Sequence, residues 1–416
     1  MRVEGMQGWV SVLFALIVTV LAGCGGGSGT SGSAHSQQTT AVNVQPLTVG
    51  QGPGSAVNVL LTSVTVCVPG SSDCATVDHI QVDTGSSGLR IMASQLPPTM
   101  VLPQQTDVGG NYAIAECAQF ADGYAWGPVK IADVKIADEE AAALPVQVIG
   151  DAAFATIPDN CSSYGPAEND VTSFGANGVL GVGQFLQDCG SVCATYAANG
   201  FYYPCPVSGG CLTTSLSDVL GTAQQVANPV ARFANDNNGV IIELPPITSA
   251  GAVAVNGSLV FGIGTETNNG LGNARVFTTT AAQGTLITTY NNQTFHYSLL
   301  DSGSSTYFFS DANIPVCAQT DPYAPGFYCP TTTKNLAAVI RGTNGMSAAL
   351  NFSVANAHDL VVTYPDHWVF NNLGAPTGAG GSDIFIWGLP AFFGHSVFTA
   401  IEGRDTSAGP GPFIAF

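Results

Sequence analysis

A chain of 416 residues with 45% apolar side chains has the length and the material for two domains, each with its own core. Charged side chains make up only 9%, while 50 glycines and 24 prolines punctuate the sequence, which disfavours long solvated helices and favours many short strands joined by turns. Nine basic against 28 acidic residues leave a formal charge of −19, which repels phosphate backbones and argues against nucleic acid as a partner.

At the N-terminus one early arginine precedes the apolar run Trp9 to Val18, too short for a membrane span and suited to an export signal. Leu21-Ala22-Gly23-Cys24 resembles a bacterial lipoprotein processing site. That resemblance implies a signal peptide over residues 1–23 and a mature chain starting at Cys24, its lipid anchoring the protein in the bacterial cell envelope, in the periplasm or at the cell surface. The alternative is an ordinary cleavable signal with an incidental cysteine. Gly25 to Thr40 is rich in Gly, Ser and Thr without Lys or Arg. Residues 24–44 therefore read as a flexible tether, and about 20 residues of such coil reach roughly 25 Å.

Val57 to Val68 reads as the first strand, followed by Cys67 and Cys74, which flank Pro69-Gly70-Ser71-Ser72 and are placed to staple a hairpin. The next apolar run ends in Gln81-Val82-Asp83-Thr84-Gly85-Ser86-Ser87-Gly88, a carboxylate on a sharp turn beside hydroxyls and glycines. Further strands are expected over Val129 to Ile136, Val146 to Ile149 and Gly239 to Leu244, and a helix over Ser217 to Ala227. Cys189, Cys193, Cys205 and Cys211 cluster in a Tyr/Pro/Gly-rich stretch, with their connectivity open. Leu286 to Tyr290 reads as a strand, and then Ser298-Leu299-Leu300-Asp301-Ser302-Gly303-Ser304-Ser305-Thr306 repeats the pattern of the first turn. Beyond it, Cys317 and Cys329 close a short loop, Lys334 to Ile340 suggests a helix and Leu360 to Tyr364 a strand. No short period repeats, so the organisation is one long-range duplication with a boundary near Gly272.

Of eleven cysteines, setting Cys24 aside leaves ten, an even number that reads as up to five disulfides in an exported chain. Cys117 and Cys161 are left to pair with each other. A metal site is the rival reading of the Cys189 to Cys211 cluster, but its spacing is irregular, no histidine lies nearby and the compartment oxidises thiols. No metal or cofactor is expected. No Gly-x-Ser-x-Gly elbow, His-Glu-x-x-His pair or phosphate-binding loop occurs.

A lone Asp-Thr-Gly is an ordinary turn after a strand, whereas two copies can bring two carboxylates together. Like charges at about 3 Å cannot both ionise, so such a pair shares one proton. The ionised member can then take a proton from a water attacking an amide carbon, while the protonated member stabilises the developing oxyanion.

Here the sequence resembles the pepsin-like aspartic peptidases, from about Val57 to Phe416. The two Asp turns are joined by Asn177-Gly178-Val179-Leu180-Gly181-Val182-Gly183 and its counterpart Ile384-Phe385-Ile386-Trp387-Gly388-Leu389-Pro390, which are similar to the segments behind the catalytic turns of that family. Gly257 to Gly264, Phe392 to Thr399 and Gly411 to Phe416 resemble further family strands. The resemblance implies a mostly β, bilobal pepsin-like fold with a cleft between two β-barrel-like lobes. The N-terminal lobe spans 45–272 with the Cys-rich stretch as an insertion, and the C-terminal lobe spans 273–416. It implies an aspartic endopeptidase with Asp83 and Asp301 as the dyad, a polypeptide substrate and a monomeric state. In it Ser86 and Ser304 hydrogen-bond the outer carboxylate oxygens, Thr84 and Ser302 lock the turns together, and Gly85 and Gly303 let the backbone approach. Activity is expected to peak on the acid side of neutrality. No basic prosegment is expected, since Gly25 to Leu89 contains no Lys or Arg.

Gln119 to Gly127 is similar to the family's flap hairpin, with Phe120, Asp122, Gly123 and Tyr124 around the turn. Phe120 stands where the family has a tyrosine, and Arg90 where it has a tryptophan. Arg90 is therefore expected to order the flap by a partly exposed pairing with Asp122 or another flap-side acid. The alternative functions are a non-catalytic binding or assembly module that keeps the fold and cleft, and a secreted β-rich adhesin in which the Asp turns are structural.

Overall fold

The computed structural model describes residues 41–195, 200–206, 210–212, 220–378 and 381–416. The signal peptide expected over residues 1–23, Cys24 and the expected tether up to residue 40 lie outside the described residues. Among those described, no helix is long and apolar enough to cross a membrane.

The protein is mostly β. Its first part contributes β1 (Val44–Gly50), β2 (Val59–Cys67), β3 (Cys74–Asp83), β4 (Ser87–Met92), β5 (Ala113–Gln119), β6 (Tyr124–Ile136), β7 (Glu139–Ile149), β8 (Gly178–Val182), β9 (Tyr202–Cys205), β10 (Gly239–Leu244) and β11 (Val255–Phe261). Three helices of one turn interrupt them, α1 (Asp159–Ser162), α2 (Val171–Phe174) and α3 (Ser191–Thr195). The second part contributes β12 (Val276–Thr278), β13 (Leu286–Tyr290), β14 (Gln293–Leu300), β15 (Tyr307–Phe308), β16 (Lys334–Arg341), β17 (Ser347–Val354), α4 (Ala357–Thr363), β18 (Gly374–Ala375) and β19 (Ile384–Trp387). It closes with β20 (His395–Ala400), a small hairpin of β21 (Asp405–Thr406) and β22 (Gly409–Pro410), and β23 (Phe413–Ala415).

Fourteen strands form one sheet in the order β12-β23-β20-β10-β11-β1-β2-β3-β8-β4-β7-β6-β5-β9, and a further pairing of β2 with β6 closes its middle into a barrel. That closed middle leaves only the outer strands as edges and lets β-branched side chains such as Val64, Val66, Val82 and Val134 point into one dry interior. Seven strands form the second sheet, β17-β16-β13-β14-β19-β15-β18, over an aromatic core of Phe295, Phe309, Phe352, Phe385 and Trp387. Each sheet repeats one arrangement around an Asp turn. β3 runs parallel to β8, which also pairs antiparallel with β4; β14 runs parallel to β19, which also pairs antiparallel with β15.

Several sequence expectations are corrected here. Lys334 to Ile340 is strand β16, not helix: despite its Leu-Ala-Ala, Ala338 and Ile340 face the core alternately with exposed Ala337 and Val339, and ladders to β13 and β17 outweigh propensity. Leu360 to Thr363 belongs to helix α4 instead of a strand, with Tyr364 as its C-cap, because the Asn356 side chain caps the helix start by accepting the Asp359 amide. Of the helix expected over Ser217 to Ala227, residues 217–219 lie outside the described residues, and the rest holds only a short 3₁₀ turn over Thr222–Gln224. The tether also ends earlier than residue 44, since Asn43 is buried and its side chain bonds the Phe261 carbonyl and Asn268. Five disulfides are present, Cys67–Cys74, Cys117–Cys161, Cys189–Cys193, Cys205–Cys211 and Cys317–Cys329, which resolves the open cluster into two local pairs.

Candidate active site

β3 and β14 each carry a last core side chain, Val82 and Leu300, before the chain turns out of the sheet and delivers a carboxylate. The two turns are tied by reciprocal bonds. Thr84 Oγ1 donates to the Leu300 carbonyl at 2.9 Å and accepts the Ser302 amide at 3.0 Å. Ser302 Oγ donates to the Val82 carbonyl at 2.9 Å and accepts the Thr84 amide at 3.1 Å. Both hydroxyls are buried, so each turn supplies the other with partners that solvent cannot.

Within each turn the carboxylate is held the same way. Asp83 accepts the Gly85 amide at 2.7 Å and the Ser86 hydroxyl at 2.5 Å; Asp301 accepts the Gly303 amide at 2.9 Å and the Ser304 hydroxyl at 2.7 Å. Glycine is required opposite each acid: a Cβ on Gly85 would lie 2.8 Å from the Asp301 carboxyl, and one on Gly303 would lie 2.6 Å from Asp83 Oδ1. Burial, and next the facing Asp83 charge, push the Asp301 carboxyl up to about 8, against the Ser304 and Gly303 donors that favour its ionised form. The pair is therefore built to retain one proton at neutral pH.

The dyad lies on the floor of a cleft of about 1720 Å³, walled by Phe120, Asp122 and Phe174 on one side and by Phe308, Tyr323 and Ile386 on the other. Two polar residues whose role was not expected from sequence, Gln81 within the first-turn motif and Asn58, brace the floor. Gln81 donates to the Gly303 carbonyl at 2.8 Å, and the buried Asn58 donates to the Ser305 and Phe370 carbonyls at 2.7 and 2.8 Å. Nothing in their local sequence marks them, because their partners lie in the other part of the chain. No group of three or more His, Cys, Asp or Glu is placed to hold a metal ion among the described residues.

The segment expected to be a flap turns between β5 and β6, where the Phe120 amide donates to the Gly123 carbonyl at 2.8 Å and the Phe120 ring meets Phe174 edge-on at 5.7 Å. Phe120 and Asp122 line the cleft, whereas Tyr124 is buried in a separate cluster with Trp126 and Tyr203. Arg90 departs from expectation. It is 3% exposed, so the pairing is not a partly exposed one, and its carboxylate partners are Glu116 at 2.6 Å and Asp188 at 3.0 Å, not Asp122. Glu116 sits on flap strand β5, so the wider expectation of a flap-side acid describes the contact, and an acid inside the apolar run Ala113-Ile114-Ala115-Glu116-Cys117 was its available signal.

No curated protein matches this sequence. The model of one protein family, described as protein of unknown function (DUF3443), matches residues 39–416, so the chain belongs to the DUF3443 family.

Proposed function

We propose that the protein is a pepsin-like aspartic endopeptidase, bilobal in the manner of that family, which hydrolyses polypeptides in the cleft that holds Asp83 and Asp301. The observation that carries the reading is the pair of carboxylates, each on its own Asp-hydroxyl-Gly-Ser turn and tied to the other by the four Thr84 and Ser302 bonds. With one proton on the pair, the acid on Asp301 hydrogen-bonds the scissile carbonyl oxygen and the ionised Asp83 accepts a proton from the attacking water. The new C–O bond forms as the carbonyl π pair moves to oxygen, and the C–N bond breaks when the nitrogen takes a proton from the dyad. The sequence places the activity maximum on the acid side of neutrality; the raised Asp301 carboxyl extends the one-proton range up to about 8. The cleft's apolar walls suit an extended chain, the net charge of −19 disfavours nucleic acid, and the lipoprotein-like Cys24 segment supports a lipid anchor at the bacterial envelope.

The test is cleavage of an unfolded protein by the full-length chain in detergent, from about pH 3 to 8, beside Asp83→Asn. Wild-type cleavage abolished by Asp83→Asn is the expected result. Equal inertness of both at every pH transfers the reading to a binding or assembly module that uses the same cleft.

A further inference from the structure

Arg90 follows the first Asp turn on β4, and its guanidinium touches three separate pieces of structure. Nη1 donates to the Ser87 carbonyl in the dyad turn at 3.1 Å, while Nη2 donates to Glu116 Oε1 on flap strand β5 and to Asp188 Oδ2 in the loop after β8. Tyr202, on β9, donates its hydroxyl to Asp188 Oδ1 at 2.6 Å and accepts the Val226 amide at 2.9 Å. The cluster is buried at its centre, with Arg90 at 3%, Glu116 at 0% and Tyr202 at 3% exposure, while Asp188 lies partly buried at its rim. The strand it grips is held on every side. β5 pairs with β6 along one edge and β9 along the other, Cys117 is bonded to Cys161, and Gln147 Nε2 donates to the Glu116 carbonyl at 2.9 Å. The Phe120 ring at the flap tip lies 6.0 Å from the Arg90 guanidinium carbon.

We infer, resting on the peptidase reading of the cleft, that Arg90, Glu116, Asp188 and Tyr202 are positioning residues that seat the flap as a fixed wall beside the first dyad turn, where a hinged lid would swing. A hairpin with a free edge can open; a middle strand tied at its back by a buried guanidinium whose Nη2 donates to both Glu116 and Asp188 cannot without breaking those bonds. The cluster also has a charge to settle. Two carboxylates face one guanidinium, so full ionisation leaves one uncompensated negative charge in a dry space, and a retained proton cancels it. Burial first, and then the Asp188 charge, hold Glu116 well above the usual carboxylate range despite Arg90. Glu116 Oε2 finds no hydrogen-bond donor among the described residues, so nothing else stabilises its charge. Burial likewise pushes the Tyr202 hydroxyl up, keeping it a donor. Loss of the shared proton in alkali sets Glu116 against Asp188 and loosens the flap strand.

Hydrogen exchange of the 113–126 segment, followed by mass spectrometry on the full-length protein without substrate and corrected for the intrinsic pH effect, tests this. Wild type is expected to exchange slowly at about pH 6 and about tenfold faster, beyond the intrinsic change, at about pH 9. Glu116→Gln balances the cluster without a proton and keeps the segment slow at both values. Arg90→Lys, which gives up the fork, exchanges about tenfold faster throughout and lowers kcat/KM while the alkaline limb set by the dyad stays in place. A wild-type segment that exchanges freely at both values, or variants that match wild type at both, overturns the inference. Should Arg90→Lys fail to fold, the wild-type and Glu116→Gln series decide alone. Exchange is read without turnover, so this outcome is separate from the Asp83→Asn comparison, which concerns the peptidase reading itself.

Discussion

Thr84→Val keeps the branched shape of the side chain and removes one oxygen. That oxygen serves two buried backbone groups of the opposite turn, the Leu300 carbonyl at 2.9 Å and the Ser302 amide at 3.0 Å. A buried polar group left without a partner costs about 1–3 kcal/mol, so losing both destabilises the fold by roughly 2–6 kcal/mol. The upper figure is a bound, because Ser302 Oγ still donates to the Val82 carbonyl and accepts the Thr84 amide. Urea unfolding is the assay: the midpoint should fall with the slope unchanged, since the same surface is exposed on unfolding. Thr48→Val is the control, because the exposed Thr48 hydroxyl bonds only the Asn256 side chain, and a change there should stay within about 0.5 kcal/mol. If the two variants unfold at the same urea concentration, the reciprocal bonds do not hold the turns together.

The remaining predictions concern protons and covalent ties. Asp301 is raised to about 8 in the folded protein against about 3.9 in an unfolded chain, so its proton contributes stability that is complete below about pH 4 and is lost as the pH climbs through about 8. Glu139, lifted to about 7 by burial and then by Asp236, and the buried Glu116 slope the same way, so Tm should be higher at pH 5 than at pH 8, and Asp301→Asn should narrow that gap without closing it. An unchanged gap in Asp301→Asn would contradict the shared proton. Removing Cys117–Cys161, which joins residues 44 apart, should cost about 4 kcal/mol by loop entropy, against about 2 kcal/mol for Cys189–Cys193, which joins residues 4 apart. Paired Cys→Ala variants compared by urea unfolding check the order, and equal losses would refute the loop argument.

The dyad turns were legible because each is a local pattern, apolar strand then Asp-hydroxyl-Gly-Ser, in which the residues that hold the carboxylate are its own neighbours. Strands with β-branched runs, such as Gly239–Leu244 and Leu286–Tyr290, were legible for the same local reason. Lys334–Arg341 misled because its Leu-Ala-Ala favours a helix in isolation, while two neighbouring ladders decide its state. Leu360 to Tyr364 misled in the other direction: its Val-Val-Thr-Tyr carries a strand's composition, and the helix cap at Asn356 lies outside the run. Arg90 was expected to pair with Asp122 or another acid on the side of the Gln119 to Gly127 hairpin from a partly exposed position; its burial was not legible, because Asp188 comes from 98 residues away and no local pattern reports that approach.

The order of strands in the large sheet fixes when the protein can fold. Val44 on β1 lies opposite Val260, Ile241 on β10 opposite Phe398, and Phe398 opposite Ala415, so the sheet is completed only when residues 395–415 join it. Contacts between such distant parts of a chain form slowly. Until residues 395–415 are in place, β10 has an open edge where β20 belongs, and a partly made chain cannot finish the sheet. A chain cut before His395 would lose an interior rib, β20, that β10 and β23 both lean on, and would be a target for proteolysis and edge-to-edge association from the moment it was released.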